Sequence, residues 1–513
     1  MALSSPPVRS GPVASSLAAD RLGVAAVVFF VMSAATPLTV VAGVVTTGYA
    51  TTGLTGMPVA FVLVGLLLAL FGVGYVAMAR YMANAGAFYS FISHGLGRPL
   101  GVGGAWVALL AYNALQVGLY GAVGVAAQPV LAQWFGSSPA WWVIAVAAWV
   151  VTAALGLLRV EVNGTVLAVL LVTEVAVILL YDVADLLHPA GGQVSVQTLS
   201  PGALAGSGVG AILVLAVLGF VGFESAVVFS EESRDPGRTV PVATYLSVGL
   251  IAALYALSSW AVTVATGPDQ IGAASRADGP ELIFNLATAH LGRAVADVGH
   301  ALFVTSILAA LISFHNTTAR YMFALGREQV LPAGLGRTSR RTGSPRNASI
   351  VQSVIGLAVI ITYAALGLDP LVQLFFYAGT CGGLGVLVLI TATSLGVVAF
   401  FGRDSRGESR WRRLIAPATA TVLLLVVVVL AISNLPTLLG LPAGHLLTWL
   451  IPTSYLAAAL AGIGWGLTLR SRRPRVYATV GLGAKSATAH LNLPNPREPT
   501  TVRPHWANNR AHR

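Results

Sequence analysis

The 513-residue sequence contains a single cysteine, Cys381, and only 9% of its residues are charged. One cysteine excludes an intrachain disulfide framework and a metal cluster held by several thiolates. A soluble domain has about a quarter charged residues, so this charge content excludes an ordinary soluble protein. Hydrophobic residues make up 56% of the chain and the mean hydropathy is +0.80, which excludes global disorder. These values indicate a polytopic membrane protein.

Catalytic signatures are also missing from the sequence. It has no G-x-S-x-G nucleophile elbow, no Walker A loop and no cluster of metal-ligating residues. Transport powered directly by ATP is therefore excluded for this chain alone, and neither a metal nor a cofactor is predicted. An intramembrane enzyme would need a paired nucleophile and base, and the sequence offers none, so we do not predict an enzyme.

Long apolar runs are what the sequence has in abundance. A helix of about 20 apolar residues crosses the hydrocarbon core of a bilayer. Twelve runs meet this requirement, and the fold class that they predict is an all-α polytopic membrane protein. The predicted spans are 22–47, 57–79, 101–131, 140–158, 162–182, 208–230, 241–266, 297–323, 349–367, 371–400, 414–433 and 446–469.

Lysine is almost absent, so the net charge of +11 comes from arginines, and these are concentrated in alternate connections. The arginine-poor connections hold only Arg276 and Arg293, beside seven acidic residues. The positive-inside rule makes the arginine-rich side cytoplasmic, and an even number of spans then places both termini there. The arginine-rich connections contain Arg80, Arg98, Arg159, Arg234, Arg238, Arg327, Arg337, Arg340, Arg341, Arg346, Arg403, Arg406, Arg410, Arg412 and Arg413.

The two ends of the chain differ from the apolar body. Residues 1–20 are rich in Ser, Pro and Ala and do not resemble a secretory signal peptide, so we expect a disordered cytoplasmic N-terminus. Residues 471–513 are polar, basic and aperiodic, which predicts a second disordered cytoplasmic extension. We assign its charge to topology and to attraction by anionic membrane lipid, and we predict no nucleic-acid binding.

Two spans contain residues that interrupt a helix. In the first, Pro37 lies mid-span, where it removes a hydrogen-bond donor and pushes Thr36 away from helical geometry. In the sixth, Gly219 and Gly222 precede the carboxylate of Glu224 deep in an apolar run. Broken helices expose backbone N–H and C=O groups at the membrane midplane, where transporters bind their ligands. The breaks lie five spans apart, as expected of inverted five-helix repeats.

The chain resembles the amino acid–polyamine–organocation permeases in three places. The first resembles the sixth helix of that family and the loop that follows it, the second its eighth helix and cytoplasmic loop, and the third its second and third helices. The matching residues are 220–241 (FVGFESAVVFSEESRDPGRTVP), then Asn316, Arg320, Ala324-Leu325-Gly326-Arg327-Glu328, Leu331-Pro332 and Pro345, and finally Tyr81, Ala85-Gly86-Ala87-Phe88-Tyr89, Leu96-Gly97 and Trp106.

This resemblance implies a LeuT-type fold, in which helices 1–5 and 6–10 form inverted repeats and two further helices follow. The corresponding segments are about 22–182, 208–400 and 414–469, within a transporter domain of residues 21–470. The resemblance also implies a secondary active transporter in the plasma membrane, which moves amino acids or related amines by alternating access. One segment departs from the family, because Ala35-Thr36-Pro37-Leu38 stands where a Gly-x-Gly stretch is common. A polyamine or other amine permease or exchanger therefore stays open as an alternative.

The resemblance and the breaks together predict a substrate site with an acidic residue at its edge. Aromatic rings there would supply cation–π contacts to an ammonium group. Glu224 would pair with a cationic substrate. The predicted substrate-binding residues are Ala35, Thr36, Pro37, Leu38, Tyr112, Phe220, Val221, Gly222, Phe223 and Glu224.

Glu174 lies in the middle of the fifth span, where an ionisable side chain is costly and usually functional. In the resembling family this position carries, in some members, a lysine that replaces a bound sodium. We therefore predict that Glu174 couples transport to a proton, with sodium as the alternative; a buried structural glutamate is the other interpretation. Glu231, Glu232 and Arg320 are predicted to form a cytoplasmic gate, with solvated charges at a helix end as the other interpretation. The sequence shows no sign of an obligate partner subunit. The alternative function from a different class is that of a non-transporting sensor or regulatory membrane protein.

Overall fold

A computed structural model of the protein describes residues 17, 19–82 and 84–486. Within these residues, eleven helices are long and apolar enough to cross a membrane. The predicted span 140–158 forms a shorter apolar helix of 16 residues, Trp141–Gly156, about 24 Å long at 1.5 Å per residue. The polytopic helical fold is confirmed, whereas the count of twelve spans and the inverted repeat stay predictions.

We number the helices in the order of the predicted spans and keep α4 for the shorter helix. In the described residues the helices follow one another with no strand between them, apart from a single bridge that pairs Leu22 with Ser233. The helices are α1 (Val24–Thr52), α2 (Met57–Ala79), α3 (Arg98–Phe135), α4 (Trp141–Gly156), α5 (Val160–Leu187), α6 (Val209–Val227), α7 (Pro236–Thr266), α8 (Arg293–Arg327), α9 (Arg346–Leu366), α10 (Pro370–Arg403), α11 (Trp411–Ser433) and α12 (Leu446–Arg472).

The centre of the protein is built around α1 and α6. In the most apolar stretch of each helix, 78% of residues in α1 and 83% in α6 are buried, against 22% in α12. Helix α1 packs against α5, α7 and α8, while α3 contacts α8, α10 and α12. An interrupted helix leaves backbone groups without partners, which is tolerated only where protein rather than lipid surrounds it. The two interrupted helices are accordingly the most enclosed ones.

Short helices cover both ends of the bundle. On the arginine-poor side, Ile271–Asp278 packs against the outer end of α1, and Leu282–Leu291 packs against α5 and α8. On the arginine-rich side, Ala87–Gly95 lies against α3 and α10. These short helices therefore pack against the long helices at the two ends of the bundle.

The predicted disorder of the C-terminal extension is wrong for residues 474–486. They form the short helix Pro474–Thr479 and a turn at Gly483–Lys485, in which Val476, Thr479 and Val480 are buried. The backbone amides of Gly481 and Gly483 donate to the carboxylate of Glu328. The composition of this segment indicated a solvated tail. Composition does not show that two backbone amides of the segment bind a buried carboxylate on α8. The rest of the predicted tail, 487–513, lies outside the described residues.

The predicted disordered N-terminus lies mostly outside the described residues as well. Leu17, which belongs to it, is buried and packs with Ala319, Met322 and Phe323 of α8. Leu22 is tied to the loop after α6, since its amide donates to the carbonyl of Glu232 and its carbonyl accepts from the amide of Arg234. The residues just before α1 are therefore bound to the loop that follows α6.

Candidate functional site

The break in α1 falls where the sequence predicts it. The first half of the helix, Val24–Ala34, ends before Thr36, which has left-handed backbone geometry with φ +46°. Pro37 then begins the second half, and the amide of Val40 bonds to the carbonyl of Thr36. A proline has no N–H, so the first free donor of this half-helix is the amide of Leu38.

The amide of Leu38 donates to Oε1 of Glu174 on α5 at 2.6 Å. The same carboxylate oxygen accepts a hydrogen bond of 2.7 Å from Ser306 on α8. The side chain of Glu174 is 2% exposed, and no arginine or histidine of the described residues forms an ion pair with it. An anion at the N-terminal end of a helix interacts favourably with the helix dipole. Glu174 thus occupies the position at which α1 would hold an anionic ligand.

The break in α6 also falls as predicted. The first part of the helix ends at Gly219, and the chain passes through Gly222 with φ +114° into the 3₁₀ turn Phe223–Val227. This backbone geometry favours glycine because it has no Cβ. The carboxylate of Glu224 folds back on the break, since its Oε2 accepts a hydrogen bond of 2.9 Å from the amide of Gly222.

The two breaks meet at the centre of the protein. A methyl group added to Gly222 would lie 2.6 Å from Cβ of Ala34 and 3.3 Å from the amide nitrogen of Ala35. The carbonyl of Ala35 accepts a hydrogen bond of 2.8 Å from Tyr255 on α7. The predicted residues Ala35 of α1 and Gly222 of α6, although almost two hundred residues apart in the sequence, therefore lie side by side on one surface.

Tyr112 joins this surface from α3, because its hydroxyl donates to Oε1 of Glu224 at 2.9 Å. The ring of Tyr112 lies 5.5 Å from that of Tyr321, and Phe220 lies 6.2 Å from Tyr255. Tyr112 and Phe220 were predicted, whereas Tyr255 and Tyr321 were missed. Helical spacing in the sequence does not show which tyrosine of an apolar helix faces the centre of a bundle.

Glu224 is fully buried and is bound by neutral donors only. Tyr75 on α2 donates to its backbone carbonyl at 3.1 Å and fixes the turn. A buried carboxylate without a cationic partner carries a large desolvation cost. The arrangement therefore suits a site that receives either a proton or the positive charge of a ligand.

The three predicted cytoplasmic gate residues form two buried ion pairs together with Arg327, which was not predicted. Arg320 on α8 donates from Nε to Oε2 of Glu232 at 2.5 Å and from a second guanidinium nitrogen to Oε1 at 2.9 Å. Its guanidinium also lies 4.8 Å from the ring of Phe229. Arg327 contacts both oxygens of Glu231 at 2.6 and 2.7 Å. Bidentate geometry and burial make these the strong class of ion pair. They tie α8 to the segment that follows α6.

Arg327 was not among the predicted gate residues, although it lies seven residues, or two helical turns, after Arg320. Asn316 was also missed; its side-chain oxygen accepts from Arg320 at 2.9 Å. The spacing of 316, 320 and 327 on one face of α8 is the signal that could have indicated both residues. Sequence alone did not show that Glu231 and Glu232 would take separate arginines.

With this geometry established, comparison with known proteins gives the family. A family model described as amino acid permease matches residues 26–463. The chain belongs to the amino acid permease family. The match contains both helix breaks, Glu174 and the residues of both buried ion pairs.

Individual relatives are distant members of the same class. An uncharacterized transporter of Mycobacterium tuberculosis is 26% identical over 343 residues, covering 63% of this chain and 65% of the relative. A lysine-specific permease of Lactococcus lactis is 23% identical, covering 61% and 63%, and a branched-chain amino acid permease of that species is 24% identical, covering 59% and 68%. The chain thus spans about two thirds of the length of the curated relatives that it matches.

Proposed function

We propose that this permease is a secondary active transporter that carries amino acids or related amines across the plasma membrane by alternating access. The observation that carries the proposal is the bond between Glu174 and the amide of Leu38, next to the meeting point of the two breaks. A charged group in the centre of a membrane protein is costly and marks an ion or substrate pathway. Family membership supports the same function.

In this proposal Glu174 couples proton binding to substrate binding. As a carboxylate it holds the Leu38 amide and the positive end of the second half of α1. Protonation removes its negative charge, weakens that interaction and frees the half-helix for the carboxylate of an amino acid. Substrate and proton then enter the site together, which is the requirement for symport.

Glu224 has a different role in the proposal. It lies on the break of α6 beside Tyr112, and its two side-chain oxygens accept from neutral donors. A substrate ammonium group at this break would supply the cation that Glu224 lacks. The aromatic rings of Tyr112 and Phe220 would contact the same cation.

The ion pairs at the inner end of α6 provide the gate that alternating access requires. With Arg320 bound to Glu232 and Arg327 to Glu231, the arginine-rich end of the bundle is closed. Access from that side requires α8 and α6 to separate at these pairs. The positive-inside rule makes this end cytoplasmic, with both termini on the same side.

An amine without a carboxylate is the second candidate substrate. Pro37 offers no amide, and the amide of Leu38 is already satisfied by Glu174. A thermal-shift screen of the purified protein against amino acids and against amines without a carboxylate distinguishes the two, because a bound ligand raises the melting temperature by mass action. Binding without uptake would instead support a sensor.

The decisive experiment replaces Glu174 with glutamine and measures transport in proteoliposomes. Glu174→Gln keeps the size and the hydrogen-bonding capacity of the side chain but cannot titrate. Exchange of substrate should persist, because exchange needs no net proton movement, whereas accumulation driven by a pH gradient should disappear. Glu161→Gln is the matched control, since Glu161 lies on the same helix with a side chain that is 36% exposed.

Two outcomes would contradict the proposal. Accumulation by Glu174→Gln in response to the pH gradient would make Glu174 a structural glutamate. A requirement for sodium in place of the pH gradient would identify the coupling ion as sodium. Glu224→Gln is expected to behave differently and to weaken binding itself, most strongly for cationic substrates.

A further inference from the structure

Two further buried carboxylates lie on α5 between Glu174 and the arginine-poor end of the bundle. Asp182 and Asp185 are 2% and 3% exposed. At 100° per residue, positions 174, 182 and 185 fall within one face of the helix. Glu174 is the proposed coupling residue, whereas Asp182 and Asp185 have no part in the proposed function.

Asp182 and Asp185 line a small cavity enclosed by α1, α5, α7 and the helix Leu282–Leu291. Leu38, whose amide binds Glu174, lines its inner end. The cavity has room for about one water molecule. It therefore lies between the coupling residue and the outer end of α5.

One oxygen of Asp182 accepts a hydrogen bond of 2.8 Å from Ser258 on α7. Among the described residues its other oxygen has no partner, although the side chain is almost fully buried and lines the cavity. This oxygen is therefore available to a ligand in the cavity.

Few titratable or charged groups surround Asp182 and Asp185. Asp185 contacts His290 of the helix Leu282–Leu291 at 3.1 Å, and the ring of His290 stacks on that of His188 at 4.7 Å. Partial burial, assisted by His188, lowers the pKa of His290. Tyr181 points its hydroxyl to the carbonyl of Val295, at the start of α8 near Asp297. Within the described ranges, no arginine lies within ion-pair distance of either aspartate.

We propose that Asp182 and Asp185 form an outer proton-binding site that loads Glu174 from the arginine-poor face. The inference rests on the proposed coupling role of Glu174. The ligand is a proton because the rest of the cavity is mainly aliphatic and would replace few of the oxygens that hydrate a metal cation. No group of three metal-ligating side chains occurs in the part of the chain that the structure describes.

After the transfer Asp182 and Asp185 are protonated as before, and Glu174 has gained one proton. When the cavity opens to solvent, the Asp182 carboxyl gives its proton to the nearest of the water molecules that enter, and the last water of that chain gives one of its protons to the Glu174 carboxylate. The Asp185 carboxyl then reprotonates Asp182 and takes the next proton from solvent at the edge formed by His290. Asp182 and Glu174 are about 12 Å apart along the helix axis, so the transfer belongs to the state in which the outer ends of α1 and Leu282–Leu291 have parted.

A loading site changes the rate of proton-driven transport but not its equilibrium. In proteoliposomes with an imposed pH gradient, Asp182→Asn and Asp185→Asn should each lower the initial rate of accumulation by at least about tenfold. The final accumulation ratio should stay at the wild-type value, because Glu174 still sets the stoichiometry. Exchange at equal pH should be unchanged, which also shows that the variants are folded.

Matched controls assign the effect to these two side chains. Asp269→Asn removes an exposed carboxylate on the arginine-poor side of the bundle and should leave the initial rate of accumulation unchanged. Asp182→Glu should restore most of the rate, because it restores the titratable group. Wild-type rates in Asp182→Asn and Asp185→Asn would overturn the proposal, as would a loss of rate in His290→Gln as large as theirs, since the histidine would then be the titrating group.

Other outcomes separate this inference from the proposed function. If Asp182→Asn loses the final accumulation ratio while exchange persists, Asp182 is itself the coupling acid and the loading role is wrong. If Glu174→Gln retains the ratio, the proposed role of Glu174 fails, whatever the aspartate variants show. A sodium requirement that disappears in Asp182→Asn would overturn the assignment of the proton as ligand.

Discussion

The carboxylate of Glu328, at the inner end of α8, accepts a hydrogen bond of 2.7 Å from the backbone amide of Gly481, 153 residues later in the chain. Tyr89 and the amide of Gly483 donate to the same carboxylate. Gly481 has φ +84°, and a methyl group there would lie 2.9 Å from Cβ of Ser93. The segment after α12 is thereby fixed between the helix Ala87–Gly95 and the end of α8, close to the ion pair of Arg327 and Glu231.

The stability of the protein should depend on pH through Glu328. Burial raises the pKa of Glu328 from 4.5 to about 7, despite the opposing effect of Tyr89, the two glycine amides and Arg327. The folded protein then binds this proton more tightly than the unfolded chain. The contribution of Glu328 to the free energy of unfolding therefore falls as pH rises from about 4.5 to about 7.

The measurement is thermal unfolding of the detergent-solubilised protein across this pH range, for the wild type and for Glu328→Gln. The difference between the two melting temperatures should change with pH over that window, because the glutamine cannot titrate. Two parallel curves would show that Glu328 does not titrate there.

Gly222→Leu should abolish uptake. The side chain would be forced into a backbone with φ +114° and against Ala34, where even a methyl carbon would approach to 2.6 Å. The strain of the left-handed backbone alone is on the order of 1–3 kcal/mol. Uptake by whole cells, normalised to the protein in the membrane fraction, tests this expectation. Gly249→Leu is the control, because nothing lies within 4 Å of the added Cβ in α7. Normal uptake by Gly222→Leu would move the central site elsewhere.

Glu232→Gln should open the cytoplasmic gate. It leaves the guanidinium of Arg320, which is 1% exposed, without its anionic partner. Removing one member of a buried pair costs about 3–5 kcal/mol.

We expect a cysteine at Ser33, at the end of the first half of α1, to react with a membrane-permeant maleimide at least about tenfold faster in this variant. The background is Cys381→Ser, and Asp404→Asn, in an exposed pair with Arg406, is the control. An unchanged rate would mean that the pair does not hold the gate.

The orientation of the chain predicts which loops face the cytoplasm. Cysteines at Gly334 and Ser405, both exposed and in arginine-rich connections, should be labelled only from the cytoplasmic side. A cysteine at Asp269, in an arginine-poor connection, should be labelled only from outside. Labelling of Gly334→Cys or Ser405→Cys by an impermeant reagent on intact cells would reverse the orientation and the positive-inside argument behind it.

The sequence by itself determined the class of protein, the positions of the long helices and both helix breaks. These features are local: a run of apolar residues forms a membrane helix wherever it lies, and Pro37 or Gly222 interrupts a helix for reasons within its own backbone. The sequence also identified Glu174 and Glu224 as charges that the membrane would make costly, and Glu231, Glu232 and Arg320 as residues of a predicted gate. It did not identify the partners of Glu174 or the pairing of the two gate glutamates with separate arginines.

Only the tertiary structure decided how those groups pair. Glu174 meets the amide of Leu38 across 136 residues of sequence, and Arg327 meets Glu231 across 96. Which face of a helix points inward depends on its packing against neighbours, and an apolar membrane helix carries almost no periodic signal of that face. The fixed segment after α12 was missed for the same physical reason. The order of this segment depends on its hydrogen bonds to the carboxylate of Glu328, at the end of α8. The amino-acid composition of the segment gives no information about that acceptor.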